Sequence, residues 1–179
     1  MMRLTRNIKI ALIALILTGA TGQIAFAQQE PPIKIKGFAY RFIERGQIHM
    51  NDCARSSCVA GSKVSYTIGA PDGKPDFKRF KDNQKAIAAY LKTQASKLDS
   101  FKFEDPTRTQ DELGVIFTKY RQVVHKDGRK AITKTVLVHR SNITLSVISS
   151  AGSRQTAETN SDLFLAGLLI WSEAIKPQQ

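Results

Sequence analysis

The order of hydrophobic and polar positions along the chain first predicts β-strands. In several segments between residues 33 and 68, aromatic and branched residues alternate with polar ones, and Val64, Tyr66 and Ile68 share one side of the chain. A period of two places successive side chains on opposite faces of a sheet, one buried and one facing solvent. The predicted N-terminal strands are 33–44, 47–50 and 59–68.

A second group of strands follows in the C-terminal half. The segments alternate in the same way and are joined by very short links, one of them the turn sequence Lys126-Asp127-Gly128-Arg129. Links this short join neighbouring antiparallel strands, so we predict a three-strand meander. The predicted segments of this half are a brief strand at 101–104, a polar loop at 105–111, and meander strands at 114–125, 131–139 and 142–149.

Two segments change to a helical period. From Asp76 or Asp82 to about residue 98, apolar residues such as Ile87 and Leu91 recur at helical spacing, with lysines on the opposite side. Residues 163–175 form the most hydrophobic stretch after residue 27. This stretch is shorter than the about 20 residues that cross a bilayer, so we predict a helix buried against the sheet.

The predicted order is strands, helix, meander, helix, which indicates an α+β fold: one antiparallel sheet with two packed helices. Across residues 33–175 this order resembles the PsbP-like α/β/α sandwich. The resemblance rests on element order and on no signature motif. It implies a small exported bacterial protein with a binding or accessory role, and it transfers no functional residue to this chain.

The N-terminus is typical of a secretory signal peptide. Arg3, Arg6 and Lys9 precede an uncharged apolar run, and Ala25-Phe26-Ala27 supplies the small residues that a signal peptidase recognises. We therefore predict cleavage after residue 27, a flexible leader at 28–32 and a single domain at 33–176. Export places the domain in the periplasm; secretion from the cell is the alternative, and cell fractionation distinguishes the two.

The chain is strongly basic after the predicted cleavage. Residues 1–27 contain three of the 27 basic residues and none of the 15 acidic ones, so the remaining 152 residues carry a formal net charge of +9. An exported protein does not meet nucleic acid as its normal partner, but it meets lipid head groups and other envelope polyanions. We expect an anionic envelope component or a protein partner, no stable membrane span, and a monomer or weak dimer.

The two cysteines, Cys53 and Cys58, are predicted to form a disulfide, because the exported compartment is oxidising. The bond closes a short ring that displays Arg55. With Arg45, His49 and Lys63 nearby in sequence, this ring is predicted to form a rigid cationic binding site. A purely structural role for the ring is the alternative.

The sequence gives only weak indications of a catalytic site or a metal site. Ser56 and Ser57 lie near His49 and Asp52 in sequence, but no strand–turn–helix elbow surrounds either serine. His125 and His139 would form a surface metal site if the hairpin register brought them together, and we expect no metal and no cofactor. We predict a non-enzymatic binding protein of the bacterial envelope. The alternatives are a secreted effector that acts on host components and an envelope hydrolase.

Overall fold

The computed structural model of the chain describes residues 30–71 and 74–174. They form eight strands, two α-helices and a short 3₁₀ helix at Ala95–Lys97. In chain order these are β1 Phe38–Ile43, β2 Ile48–Cys53, β3 Lys63–Gly69, α1 Phe77–Thr93, β4 Leu98–Phe103, β5 Thr107–Asp111, β6 Gly114–His125, β7 Lys130–His139, β8 Thr144–Ala151 and α2 Arg154–Ala174.

All eight strands belong to one antiparallel sheet with the order β1-β2-β3-β8-β7-β6-β4. β5 also pairs with β6, beyond the end of β4, so β4 and β5 share one edge of that strand. The N-terminal strands form one meander and β6, β7 and β8 form another. The two meanders are joined by β3 and β8, which pair from Lys63↔Ser150 to Gly69↔Thr144.

Helix α2 covers the central strands on one face of the sheet. Ser153 caps its first turn, because the Ser153 Oγ accepts from the Thr156 amide at 3.1 Å. Its inner side buries Phe164 and Leu168 completely against the core residues of β3, β7 and β8. Removing this apolar surface from water is the main stabilisation that α2 contributes.

Helix α1 lies on the other face of the sheet. Phe77 and Phe80 pack on Phe117 of β6, with ring centroids 5.0 and 5.4 Å apart. Tyr120, three residues further along β6, donates to Glu158 of α2 at 2.9 Å. Because side chains alternate along a strand, these contacts place the two helices on opposite faces.

The connections gather at the two ends of the sheet. One end holds the β2–β3 connection at 54–62, the β6–β7 turn, the 3₁₀ helix and the start of α2. We call 54–62 the disulfide loop. The opposite end holds the β1–β2 turn, the β3–α1 connection and the β7–β8 turn. The antiparallel order therefore brings the disulfide loop and the β6–β7 turn to the same end.

The structure confirms the α+β fold, the meander and the two packed helices, with β6 at the predicted bounds. The predicted polar loop at 105–111 is wrong, since β5 forms there. All five residues of β5 are exposed, so no buried face marked it as a strand. The start predicted for the second helix at 163 is also wrong, because the Ser153 cap sets the start of α2 at Arg154.

The predicted strand at 33–44 is shorter in the structure, and β1 begins at Phe38. Ile33 and Ile35 instead pack on the core from the chain that precedes β1. Gly37 has a positive φ of 93°, which turns the chain between these two parts. The alternation of Ile33 and Ile35 thus reflected burial in an irregular segment.

The predicted signal peptide at 1–27 lies outside the described residues, as do the first two residues of the predicted leader. Among the residues that the structure describes, no helix is long and apolar enough to cross a membrane.

We predict that Leu168→Ala lowers the free energy of unfolding by about 2–5 kcal/mol, because it leaves a cavity under α2. Ile170→Ala on the same helix is the control, since Ile170 is 70% exposed, and we expect a change below about 0.5 kcal/mol. Urea denaturation measures both. Equal effects of the two substitutions would contradict the packing of α2.

Candidate functional site

The disulfide loop is closed by the predicted Cys53–Cys58 bond, with an S–S distance of 2.06 Å and Cα atoms 5.8 Å apart. The loop packs against the start of β1. The Ala54 amide donates to the Gly37 carbonyl at 3.0 Å, and the Cys58 Sγ lies 3.2 Å from the same oxygen. Gly37 has a positive φ of 93°, and a Cβ there would also displace the Ser57 Oγ, so the backbone at this contact favours glycine.

The four residues predicted to form a cationic site do not lie together. Arg55 is exposed in the disulfide loop, and Lys63 at the start of β3 pairs with Asp52 at 3.5 Å. Arg45 lies in the β1–β2 turn at the opposite end of the sheet, and His49 is only 5% exposed. The prediction that Arg45 and His49 join Arg55 in one surface is therefore corrected.

His49 belongs to a buried aromatic cluster under α2. Its ring stacks on Tyr66 at 4.6 Å with an interplanar angle of 8°. Its Nδ1 shares a hydrogen bond with the Tyr40 hydroxyl at 2.9 Å. Burial lowers the pKa of His49 and raises the pKa values of Tyr40 and Tyr66. His49 is therefore a neutral core residue at pH 7.

The candidate hydrolase residues do not converge. His49 and Asp52 are three positions apart on β2, so their side chains lie on opposite faces of the sheet. The Asp52 carboxylate lies 3.3 Å from Arg41 and 3.5 Å from Lys63. Neither it nor the bonded imidazole is directed to Ser56 or Ser57 as a catalytic triad requires.

His125 and His139 also lie apart. His125 pairs with Leu98 at one end of the sheet, and His139 pairs with Val115 at the other. No group of three or more His, Cys, Asp or Glu side chains in residues 30–71 and 74–174 is placed to hold a metal ion. The observed strand register, which the sequence alone does not determine, therefore places these two histidines at opposite ends of the sheet.

Several of the basic residues that lie at the same end of the sheet as Arg55 come from the C-terminal meander. Sheet order brings the β6–β7 turn to the end that holds the disulfide loop, and the Lys126 amide meets the Lys97 carbonyl at 3.4 Å. We call the exposed basic residues of this end the cationic end. They are Lys36, Arg55, Lys63, Lys97, Lys126, Arg129, Lys130 and Arg154.

Most of these charges have no ion pair within the described residues. Lys63 pairs with Asp52, Arg129 pairs with Asp127 at 2.7 Å, and Arg154 pairs with Glu104 and Glu158. Lys36, Arg55, Lys97, Lys126 and Lys130 form no ion pair with another described residue. The exposed acidic residues at this end, Asp99 and Asp127, are outnumbered by the basic ones. The opposite end shows no such excess of basic residues. Its charged residues include Glu44, Arg45, Lys74, Asp76, Asp111, Glu112, Arg140 and Glu173.

A cavity of about 360 Å³ lies between the disulfide loop and α2, and we call it the loop–helix cavity. Asn160 of α2 forms part of its wall and is only 8% exposed, and the buried Asn160 Nδ2 has no hydrogen-bond partner among residues 30–71 and 74–174. Val59 and Leu163 also line the cavity and are 55% and 46% exposed. The remaining lining residues are Lys36, Phe38, Ser57, Cys58, Gln155, Thr156 and Thr159.

A second cavity of about 370 Å³ also includes Phe38 in its wall, together with residues of the chain that precedes β1. Asn51 lines it and is 2% exposed, and its Nδ2 has no hydrogen-bond partner in the described part of the chain. Burial raises the pKa of Tyr66, and the nearby Ile33 amide opposes this rise only in part, because the Tyr66 hydroxyl has no partner with hydrogen-bond geometry among the described residues. Phe38 thus lines two cavities whose walls each include an asparagine with a buried Nδ2 that lacks a partner among the described residues.

Sequence reasoning missed Asn160, Asn51 and the lysines of the β6–β7 turn. Asn160 precedes the second helix as predicted from residue 163, and its burial follows only from the earlier start of α2. The sequence predicts the turn that carries the lysines, but their position at the same end of the sheet as the disulfide loop depends on the β3–β8 pairing. No local signal in the sequence reports that pairing.

Comparisons with known proteins leave the family open. No protein-family model matches the chain, and no curated protein matches it. Among solved structures it is similar to the Ran-binding protein Mog1p of Saccharomyces cerevisiae, with 12% identity, coverage of 72% of this chain and 75% of that one, and a TM-score of 0.39. It is also similar to PA94, a protein of unknown function from Pseudomonas aeruginosa, with 10% identity, coverage of 79% and 98%, and a TM-score of 0.33. Neither likeness assigns a function, and the PsbP-like relation stays a prediction.

We predict that stability falls as the pH is lowered from about 7.5 to about 5.5. The pKa of His49 is below its ordinary 6.5 in the folded protein, so the unfolded chain binds its proton first and acid favours unfolding. Urea denaturation across this range measures the slope. His49→Phe keeps a ring in the stack, and we expect a smaller slope in that variant; an unchanged slope would show that His49 is not its source.

Proposed function

We propose that this protein is an exported, non-enzymatic binding protein of the bacterial cell envelope, and that its cationic end contacts anionic lipid head groups. The observation that carries the proposal is the collection of exposed basic residues at one end of the sheet, several of them without an acidic partner in the described chain. Basic residues outnumber the exposed acidic residues at this end, whereas the opposite end has no excess of basic residues. This asymmetry favours one orientation at a negatively charged surface.

The chemistry of the cationic end fits a head-group layer. A basic residue near an anionic bilayer contributes about 1 kcal/mol of attraction, so Arg55, Lys126 and Lys130 together suffice for reversible association. Val59 of the disulfide loop is 55% exposed and adds apolar surface at the same end. We infer a peripheral contact in which basic side chains meet phosphates and Val59 meets the interface.

The disulfide supports a binding role for its loop. The bond and the contacts with Gly37 hold the backbone of the loop, so little conformational freedom is lost when Arg55 meets a partner. An arginine fork also matches phosphate oxygens in two hydrogen bonds. The loop therefore contributes a positioned guanidinium, and the β6–β7 turn contributes the larger share of charge.

The proposed location and the absence of catalysis rest on separate observations. A disulfide is typical of oxidising compartments, which agrees with the signal peptide predicted at 1–27. The separation of His49, Asp52 and the loop serines supports binding in place of hydrolysis. A secreted effector that acts at host membranes would use the same cationic end, and the proposal of a periplasmic location is tested by fractionation of the natural host.

We predict that the mature protein cosediments with vesicles of equimolar phosphatidylglycerol and phosphatidylcholine at 0.15 M salt. The double variant K126Q/K130Q removes about 2 kcal/mol of attraction, so its partition coefficient should fall about thirtyfold. Higher salt should weaken binding of the natural sequence, because it screens exposed charges.

The double variant R45Q/K74Q is the matched control, since it removes the same charge from the opposite end. We expect its binding to stay within about twofold of the natural sequence. Equal losses in the two variants, or no binding to the anionic vesicles, would overturn the proposal.

A further inference from the structure

We propose that the free edge of β1 binds an extended acidic segment of a partner protein, which joins the sheet as an added strand. β1 is the last strand on its side of the sheet and, among the described strands, pairs with β2 alone. This edge lies apart from the cationic β6–β7 turn, and its ligand is a polypeptide instead of a lipid head group. Strand addition takes its affinity from backbone hydrogen bonds and its selectivity from alternate side chains.

The pairing of β1 with β2 decides which backbone groups of β1 face outward. The Ala54 amide donates to the Gly37 carbonyl at 3.0 Å, in the same register as the β1–β2 ladder. Hydrogen-bonded and non-bonded residues alternate along an antiparallel ladder. Counting by twos from Gly37, the amide and carbonyl groups of Tyr40 and Phe42 therefore point away from β2.

Tyr40 and Phe42 thus leave two amides and two carbonyls available at this edge. No backbone hydrogen bond from a described residue outside β2 reaches them. The Phe38 amide differs, because it donates to the Ile35 carbonyl at 3.2 Å. Two donors and two acceptors, repeated at a spacing of two residues, form the pattern that one added strand satisfies.

The two edges of the sheet differ in their protection against an added strand. On the far edge, β4 contains a bulge between Leu98 and Ser100, and β5 is exposed and polar. Bulges and charged side chains are devices that keep an edge from pairing with another chain. β1 has an unbroken register over its six residues and one charged side chain, Arg41. The β1 edge is therefore the one suited to strand addition.

The side chains of β1 specify the residues that the added strand carries. Tyr40 and Phe42 are half-buried, and their rings pack on His49 under α2. Arg41 lies on the opposite face, and its side chain is 56% exposed. Residues directly opposite each other on paired strands share a face. An apolar–acidic–apolar order therefore matches β1, with the acidic residue opposite Arg41.

A second copy of this chain fits the edge less well than an acidic segment. Two β1 strands that paired through Tyr40 and Phe42 would place their Arg41 side chains directly opposite each other, and like charges there are destabilising. Asp52 offsets this charge only in part, because it lies 3.3 Å from Arg41 and 3.5 Å from Lys63. A carboxylate on the added strand would give Arg41 an acidic neighbour of its own.

The surroundings of the start of β1 also favour acidic residues. A cavity of about 510 Å³ lies there. None of its lining residues is acidic, and the basic ones are Lys34, Lys36 and Arg55. An antiparallel added strand leaves the edge at this end with its C-terminal residues. Acidic residues that follow the core of the added strand would therefore meet these basic groups.

The test uses the folded, disulfide-bonded protein and isothermal titration with the capped peptide Thr-Val-Glu-Val-Thr-Asp-Asp. In the antiparallel register its two valines lie opposite Phe42 and Tyr40, and its glutamate lies opposite Arg41. N-methylation of both valines removes the amides that donate to β1, so binding should weaken at least tenfold. N-methylation of the glutamate and of the threonine after the second valine is the matched control. Those amides point away from β1, so binding should stay within about twofold.

Arg41→Glu should weaken binding of the same peptide at least tenfold and should favour a peptide with lysine in place of the glutamate. Arg108→Glu makes the same change on the exposed β5 at the far edge, and we expect binding within about twofold of the natural sequence. The comparison of N-methylated peptides needs no substitution in the protein, so it keeps the inference testable if Arg41→Glu does not fold.

Equal binding of the two N-methylated isomers would overturn the inference, since both carry the same charge. Failure of the unmodified peptide to bind at millimolar concentration would also overturn it, and a dimer in sedimentation velocity would then assign the edge to a second copy. The K126Q/K130Q variant should bind the peptide within about twofold of the natural sequence. Vesicle binding and peptide binding therefore succeed or fail separately.

Discussion

The pairing of β3 with β8 is the constraint on which the rest of the structure depends. It joins two meanders that are distant in sequence into one sheet, over the whole length of β3. Tyr66 on β3 and Val147 on β8 thereby become neighbours in one continuous apolar surface under α2. The same pairing sets the disulfide loop and the β6–β7 turn at one end. Without this pairing, the position of Arg55 relative to Lys130 would not be fixed.

Helix α2 connects this scaffold to the candidate sites. Its buried side holds the sheet through Phe164, which meets Phe38 edge to face with ring centroids 5.1 Å apart. Its first turns form one wall of the loop–helix cavity, and the buried Asn160 is part of that wall. Phe38 thus links the core to the disulfide loop, which packs on the adjacent Gly37.

Local patterns of the sequence predicted the sheet, both helices and the disulfide, because each depends on short-range periodicity or on a cysteine pair. They failed at β5, because all of its residues are exposed and no alternation of buried and exposed positions marks the strand. They also failed at the start of α2, which is set by the capping hydrogen bond of Ser153. The candidate site was predicted in part. Arg55 and Lys63 lie at the disulfide loop, whereas His49 is buried by strand alternation and Arg45 lies one strand length away. The positions of the other basic residues of the cationic end depend on the long-range pairing of β3 with β8.

Hydrogen–deuterium exchange of the protein with phosphatidylglycerol-containing vesicles tests the central claim most directly, because it reports which end of the sheet meets the surface. The account predicts slower exchange in the disulfide loop at 54–62 and in the β6–β7 turn on vesicle binding. It predicts unchanged exchange in the β1–β2 turn at the opposite end. Slower exchange in the β1–β2 turn, with the disulfide loop unaffected, would contradict the account.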